Sequence, residues 1–206
     1  MHDLMEQTTP AVVPTVPNGE RRHRKLPVAV GLALAFGLAA GLAVGLLVSR
    51  DGNEGDGGST EAAALVEEGL QLHVDGDLVG AAQQYRDAIA LDPDSVLAHY
   101  NLGLVHQLDG RAADAGREYR RTIELDPAYV PALYNLGVLA SAAGDDGAAI
   151  EHYRRAVEAD PAYAAAQFNL GLLLLDAGDV DGGNAAIQTA IELDSSLQER
   201  LEVGEP

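Results

Sequence analysis

Four histidines, His73, His99, His106 and His152, are the side chains here best suited to metal or proton chemistry. Only His99 and His106 share a spacing, seven residues, that puts both near one face of a helix. A zinc site would need a third ligand beside them, and the sequence patterns none with them. Cysteine is absent, which excludes a thiol nucleophile, a disulfide and a Cys-based zinc site. A nucleophile elbow, a phosphate loop and H-E-x-x-H are also missing. Asp and Glu total 32, too many for any pair to stand out as acid and base. The sequence nominates no catalytic residue, no metal ligand and no cofactor, and it reads as a non-enzyme.

Charge narrows the partners. Of 32 acidic residues, 29 follow Arg50, against eight Arg in the same stretch. Such a region repels phosphate backbones, which sets nucleic acid aside. Solubility alone is a sufficient reason for that charge. Lys occurs once, at Lys25, a trait of a GC-rich or salt-adapted prokaryotic source.

Leu26 to Val48 contains no charged residue. As a helix its 23 residues would extend ~34 Å, enough for a hydrocarbon core of ~30 Å. Arg21, Arg22, Arg24 and Lys25 precede it, and an acidic stretch follows Arg50. The positive flank predicts a cytoplasmic N-terminus and an extracytoplasmic remainder. A cleaved signal peptide is the rival reading. Its apolar region would be shorter, and Leu47-Val48-Ser49 is a poor cleavage site. Gly37, Gly41 and Gly45 fall near one face of this span, a stripe that permits a helix-helix homodimer. Chance in a Gly/Ala-rich span is the simpler account of it. Residues 1–25 read as a basic, disordered cytoplasmic end with three prolines, and 49–60 as a flexible acidic Gly-rich linker.

The rest of the chain repeats itself. Asp-Pro recurs at Asp92-Pro93, Asp126-Pro127 and Asp160-Pro161, 34 residues apart, and Asp194-Ser195 continues the step. Gly69, Gly103, Gly137 and Gly171 keep that spacing, as do Gly76, Gly110, Gly144 and Gly178. Ala81, Ala115 and Ala149 form a column completed by Gly183; Tyr85, Tyr119 and Tyr153 form one completed by Ile187. Each column has a physical reading. Asp would cap a helix with Pro in its first turn. Gly at 76 would end a helix in a left-handed turn. Gly at 69 and Ala at 81 would let paired helices touch, with Tyr filling between them.

These columns resemble the tetratricopeptide repeat (TPR) family, whose unit is two antiparallel helices. The units would be 62–95, 96–129, 130–163 and 164–197 within a domain over 61–203. The expected fold is all-α: a solenoid of four helix-turn-helix repeats, a short C-terminal cap helix over 196–203, and one preceding transmembrane helix. Two positions depart from the family. The large residue early in the first helix is Leu65, His99, Leu133 and Gln167, and Glu68 stands where the others have Leu102, Leu136 and Leu170. The first turn is then either looser or a cap.

The resemblance also implies a concave face. Its inward positions map onto the groove residues Tyr100, Asn101, Leu104, Tyr134, Asn135, Val138, Phe168, Asn169 and Leu172. An Asn amide offers an acceptor and two donors, matching both polar groups of a peptide unit. A ladder of Asn101, Asn135 and Asn169 could hold an extended chain; equally, it could serve packing alone. No Lys or Arg stands at the second, fifth or thirteenth position, where relatives that clamp an acidic peptide end carry them. The expected partner is thus a protein or peptide segment, apolar or basic. Arg117, Arg120, Arg121, Arg154 and Arg155 read as solvated and paired with nearby carboxylates.

The expected function is a membrane-anchored scaffold that binds an extended segment and helps assemble an envelope complex. This is similar to single-span repeat proteins that assemble secreted or membrane-bound complexes. The alternatives are a self-associating structural membrane protein and a non-catalytic accessory subunit of an envelope enzyme.

Overall fold

A computed structural model describes residues 57–203. The proposed span 26–48, its Gly37, Gly41 and Gly45 stripe, and the N-terminal 1–25 lie outside the described residues. Among those described, every regular element is helical, and none is long and apolar enough to cross a membrane.

Four helix pairs follow in order: α1 (Gly57–Val74) with α2 (Leu78–Leu91), α3 (Val96–Leu108) with α4 (Ala112–Leu125), α5 (Val130–Ala142) with α6 (Asp146–Ala159), and α7 (Ala164–Asp176) with α8 (Val180–Leu193). A ninth helix, α9 (Ser196–Val203), closes the stack. From α2 to α8 the first and second helices each recur at 34-residue steps. α1 starts at Gly57, so the last four residues of the expected 49–60 linker are helical. Ala62 and Val66 are buried and fix the nucleus. Extending a nucleated helix backward is far less costly than starting one.

Each pair turns in the same way. Gly76, Gly110, Gly144 and Gly178 adopt φ between +74° and +89°. The N–H after each glycine donates to a carbonyl five residues back, as Asp77 does to Leu72 at 2.9 Å. The glycine's own N–H donates three residues back, as Gly76 does to His73 at 3.1 Å. This double closure satisfies the last carbonyls of the first helix. The second helix then opens on a carboxylate cap: Asp77, Asp145 and Asp179 accept the N–H of Gly80, Ala148 and Gly182. In the second unit Arg111 holds the cap position and makes no such bond.

The Asp-Pro columns do different work from the helix-start cap read from the sequence. Asp92, Asp126 and Asp160 end the second helices, and the first helices begin only at Val96, Val130 and Ala164. Each Asp side chain accepts the N–H two residues on, at 2.9–3.1 Å. Its carbonyl accepts the N–H three residues on, as Ser95 shows at 3.2 Å. That is an Asx turn inside a β-turn with Pro at its second position, where the fixed φ suits the turn. The caps of the first helices come three residues later, at Ser95, Tyr129 and Tyr163.

Within a pair, glycine meets tyrosine. A Cβ on Gly69, Gly103 or Gly137 would lie 2.5–2.6 Å from the ring of Tyr85, Tyr119 or Tyr153. The fourth unit replaces both partners together. Ile187 takes the tyrosine position, and α7 and α8 come so close that a Cβ on Gly183 would lie 2.9 Å from the Gly171 carbonyl oxygen. The Ala of the other units would not fit there, so the Ala-to-Gly and Tyr-to-Ile changes are one accommodation.

Between units, Ala98, Leu102 and Val105 of α3 share a core with Ala81, Ala82, Tyr85 and Ala88 of α2. The same phase on α1 carries Ala64, Glu68 and Gln71, all exposed. Glu68 thus belongs to a polar outer face, and α1 is a cap rather than a loosened turn. At the far end Leu197 of α9 packs with Phe168 and Ala190, and the Arg200 guanidinium lies 5.2 Å from the Phe168 ring centre.

Candidate functional site

The expected groove residues fall on α3, α5 and α7 and divide among three core clusters: Tyr100 with Leu104, Tyr134 with Val138, and Phe168 with Leu172. Most of them are turned inward. Tyr100, Leu104, Tyr134, Val138 and Phe168 are buried, and Leu172 is half-buried. Asn101, Asn135 and Asn169 are 2%, 2% and 5% exposed.

The aromatic rungs are covered by a column the sequence reading did not single out. Tyr129 lies on Tyr100, with ring centres 5.0 Å apart, and Tyr163 lies on Tyr134 at 5.4 Å. Tyr119 and Tyr153 complete the two clusters at 5.9 and 5.7 Å. Leu197 fills the same position against Phe168. Tyr129, Tyr163 and Leu197 are 34 residues apart, so their period was in the sequence. They belong to the last residue of each unit, which reads as turn until packing shows what it covers.

The three Asn are already engaged. Asn169 Nδ2 donates to the Tyr134 hydroxyl at 3.2 Å and to the Tyr153 hydroxyl at 3.4 Å. Asn135 faces Tyr100 and Tyr119 in the same register and lowers both hydroxyl pKa values against the larger effect of burial. Its approach to Tyr100 stops short of a hydrogen bond, and the Tyr119 hydroxyl donates instead to Gln107 Oε1 at 2.9 Å. Asn101 follows a unit with Val66 in place of tyrosine, and it turns back onto the Leu97 carbonyl at 2.8 Å. Asn169 therefore satisfies two buried hydroxyls, whereas those of Tyr85 and Tyr100 have no hydrogen-bond partner. Burial is also the leading cause that raises every tyrosine hydroxyl pKa here, Tyr129 to about 12.

His99 and His106 do not form a metal centre, and no group of three or more His, Asp or Glu could hold one among the described residues. His99 Nδ1 lies 2.7 Å from Glu118 Oε2, and its Nε2 3.1 Å from the Pro93 carbonyl. Gln167, at the same position two units on, donates to the Pro161 carbonyl at 3.2 Å. His99 and Gln167 thus each tie a first helix to the turn before it. Burial lowers the pKa of His73, His106 and His152. Of the expected arginine pairs, Arg117 joins Asp114, and Arg121 reaches Asp94 at 2.6 Å and Glu124 at 3.4 Å. Arg155 leans on the Pro127 carbonyl, while Arg120 and Arg154 are exposed.

What remains open on the first helices is a narrower set. The second, ninth and thirteenth residues of each unit share one helix face. Val74 and Leu108, at the thirteenth position, are 58% and 38% exposed. Ala142 and Asp176 continue that column, exposed, and Leu97, Pro131 and Ala165 lie half-buried at the second position.

A stack of helix pairs with this interlock has the fold of a tetratricopeptide-repeat solenoid, and TPR repeats are what the comparisons find in the chain. The family model described as TPR repeat matches residues 69–110 and 141–178. Among solved structures, a crystal structure of MamA is 22% identical, covers 79% of this chain and 89% of its own, and has a TM-score of 0.60. YrrB, described as "a TPR protein with an unusual peptide-binding site", is 22% identical over 65% of this chain and 69% of its own, with a TM-score of 0.59. The first TPR of Spaghetti (RPAP3), bound to HSP90 peptide SRMEEVD, is 21% identical over 58% and 95%, with a TM-score of 0.55. No curated protein matches the chain.

Proposed function

We propose that this protein is an interaction scaffold whose concave face binds an extended segment of another protein. The observation that carries this reading is the row of exposed apolar side chains, Val74 and Leu108, on first helices whose remaining apolar residues are almost all consumed by packing. Exposed apolar side chains in register on a rigid scaffold supply contact area at little ordering cost. Neighbours of the same fold bind peptides, as the YrrB and RPAP3 descriptions state. The peptide in the RPAP3 complex ends in acidic residues. Here the second, fifth and thirteenth positions carry no Lys or Arg, so an acidic end finds no clamp.

We hold the membrane anchor as part of the same proposal: 26–48 spans the bilayer and the solenoid sits outside, gathering an envelope assembly. The linker to Gly57 is short, so the solenoid would work close to the bilayer. End-to-end self-assembly through the repeats is disfavoured, because α1 presents Glu68 and Gln71 outward and α9 covers the last pair.

A photo-crosslinking residue at Leu108 tests the reading in membranes, with one at the exposed, outer-helix Arg154 as control. A discrete adduct from Leu108 and none from Arg154 is expected. No adduct from Leu108, or the same adducts from both, would refute a concave site. Protease added outside spheroplasts should remove the solenoid; its protection would reverse the topology.

A further inference from the structure

The concave reading above leaves the ligand chemistry open, and the open and closed residues of the face narrow it. All three Asn of the ladder are buried; Asn101 is hydrogen-bonded to its own helix and Asn169 to two tyrosine hydroxyls, so a ligand would have to displace those bonds to use them. Apolar residues dominate what a ligand can reach without that cost: Leu70, Val74, Leu97 and Leu108. Two charged side chains stand at the ends of this row. Glu67 is exposed on α1, one turn from Leu70, in the column where later units carry the buried Asn. Asp176 is exposed on α7 in the column of Val74 and Leu108. No basic residue occupies the second, fifth, sixth, ninth or thirteenth position of any unit.

We propose that the face takes an apolar segment with basic residues at its ends, the apolar centre lying on Leu97 and Leu108 and the basic flanks meeting Glu67 and Asp176. The inference depends on the concave site of the proposed function and adds its ligand class. Charge complementarity is its warrant: 29 acidic residues against eight Arg after Arg50 steer a basic segment toward the solenoid and repel an acidic one. Asn169 acts behind the surface, holding the hydroxyls of Tyr134 and Tyr153.

The test uses full-length protein in detergent and three fluorescein-labelled twelve-residue peptides. All share a Leu/Ala/Ser centre and carry two Lys, two Glu or two Ser at each end. By fluorescence polarisation the Lys-flanked peptide should bind about tenfold tighter than the Glu-flanked one at low salt, and the gap should close at high salt. Leu108→Ser should weaken the Lys-flanked and Ser-flanked peptides alike, by about fivefold or more. The Glu67→Gln/Asp176→Asn double variant should reduce the Lys preference severalfold while leaving Ser-flanked binding unchanged. All three positions are exposed, so far-UV circular dichroism should remain native. Equal or tighter binding of the Glu-flanked peptide would overturn the inference, as would a Lys preference undiminished in the double variant. If none of the peptides binds while the Leu108 crosslink forms, this ligand class is wrong and the concave site stands. If both fail, both readings fall together.

Discussion

Asn169 and Asn101 occupy the same column and hold different bonds, which makes them a matched pair for experiment. Asn169 serves two tyrosine hydroxyls of the preceding unit, whereas Asn101 serves one carbonyl of its own helix. Asn169→Ala leaves two buried hydroxyls short of a partner and should cost about 2 kcal/mol; Asn101→Ala should cost about 1 kcal/mol or less. Urea unfolding of the two variants reads the difference, and equal costs would contradict the geometry. The glycine at 183 is a second residue-scale test. Gly183→Ala forces a Cβ to 2.7 Å from Leu175 Cγ and 2.9 Å from the Gly171 oxygen. It should destabilise by about 1–3 kcal/mol although Ala is the better helix former and stands at this position in every other unit. Relief by Ile187→Tyr in the same chain, the residue the other units pair with Ala, would show that the two changes in the fourth unit are coupled.

At the scale of the helix, the second unit carries a correctable defect. Its second helix begins after Arg111, with no side-chain cap, where its counterparts use Asp77, Asp145 and Asp179. Arg111→Ser should supply the missing acceptor and stabilise by about 0.5–1 kcal/mol, since the exposed ion pair with Asp114 that it removes contributes little. The reverse change, Asp145→Ala, should cost about 1 kcal/mol. Thermal midpoints of both variants decide this, and opposite signs are required. The cap helix makes the companion case. Leu197 is buried against Phe168, so Leu197→Ala should cost about 2–3 kcal/mol. Its loss should be felt first as faster amide exchange in α7 and α8, the pair that α9 covers.

The whole molecule is bound by its tyrosines. All seven lie within the described residues, and burial raises every one above the ordinary value of 10.0. In the unfolded chain each would ionise near pH 10, but the native state keeps its proton longer. The native state therefore binds more protons above that pH, and stability, complete below pH 10, falls as pH rises toward and past 12. Tyrosinate absorbance and helical ellipticity should consequently change together in one steep alkaline transition. A gradual titration near pH 10 with helix retained would mean that the hydroxyls are wet.

Sequence alone determined the class, the units and even the terminal helix of this protein. Small residues must recur wherever two helices touch, a left-handed turn selects glycine, and a strict 34-residue period leaves one way to stack the pairs. The Gly76 and Tyr85 columns were legible because each obeys a local rule. The Asp-Pro column reads as a helix cap in sequence because capping a helix and closing an Asx turn demand the same residues two or three positions apart. Only the tertiary structure decided which side of the first helices is spent. Asn101, Asn135 and Asn169 look alike in one dimension, and nothing in their spacing tells whether an amide meets solvent or the hydroxyl of a tyrosine one unit away. Their burial follows from how closely neighbouring units approach, a distance set jointly by Tyr129, Tyr163 and Leu197 closing over the aromatic rungs. Recurrence reports which residues are equivalent, and packing reports what they are equivalent for.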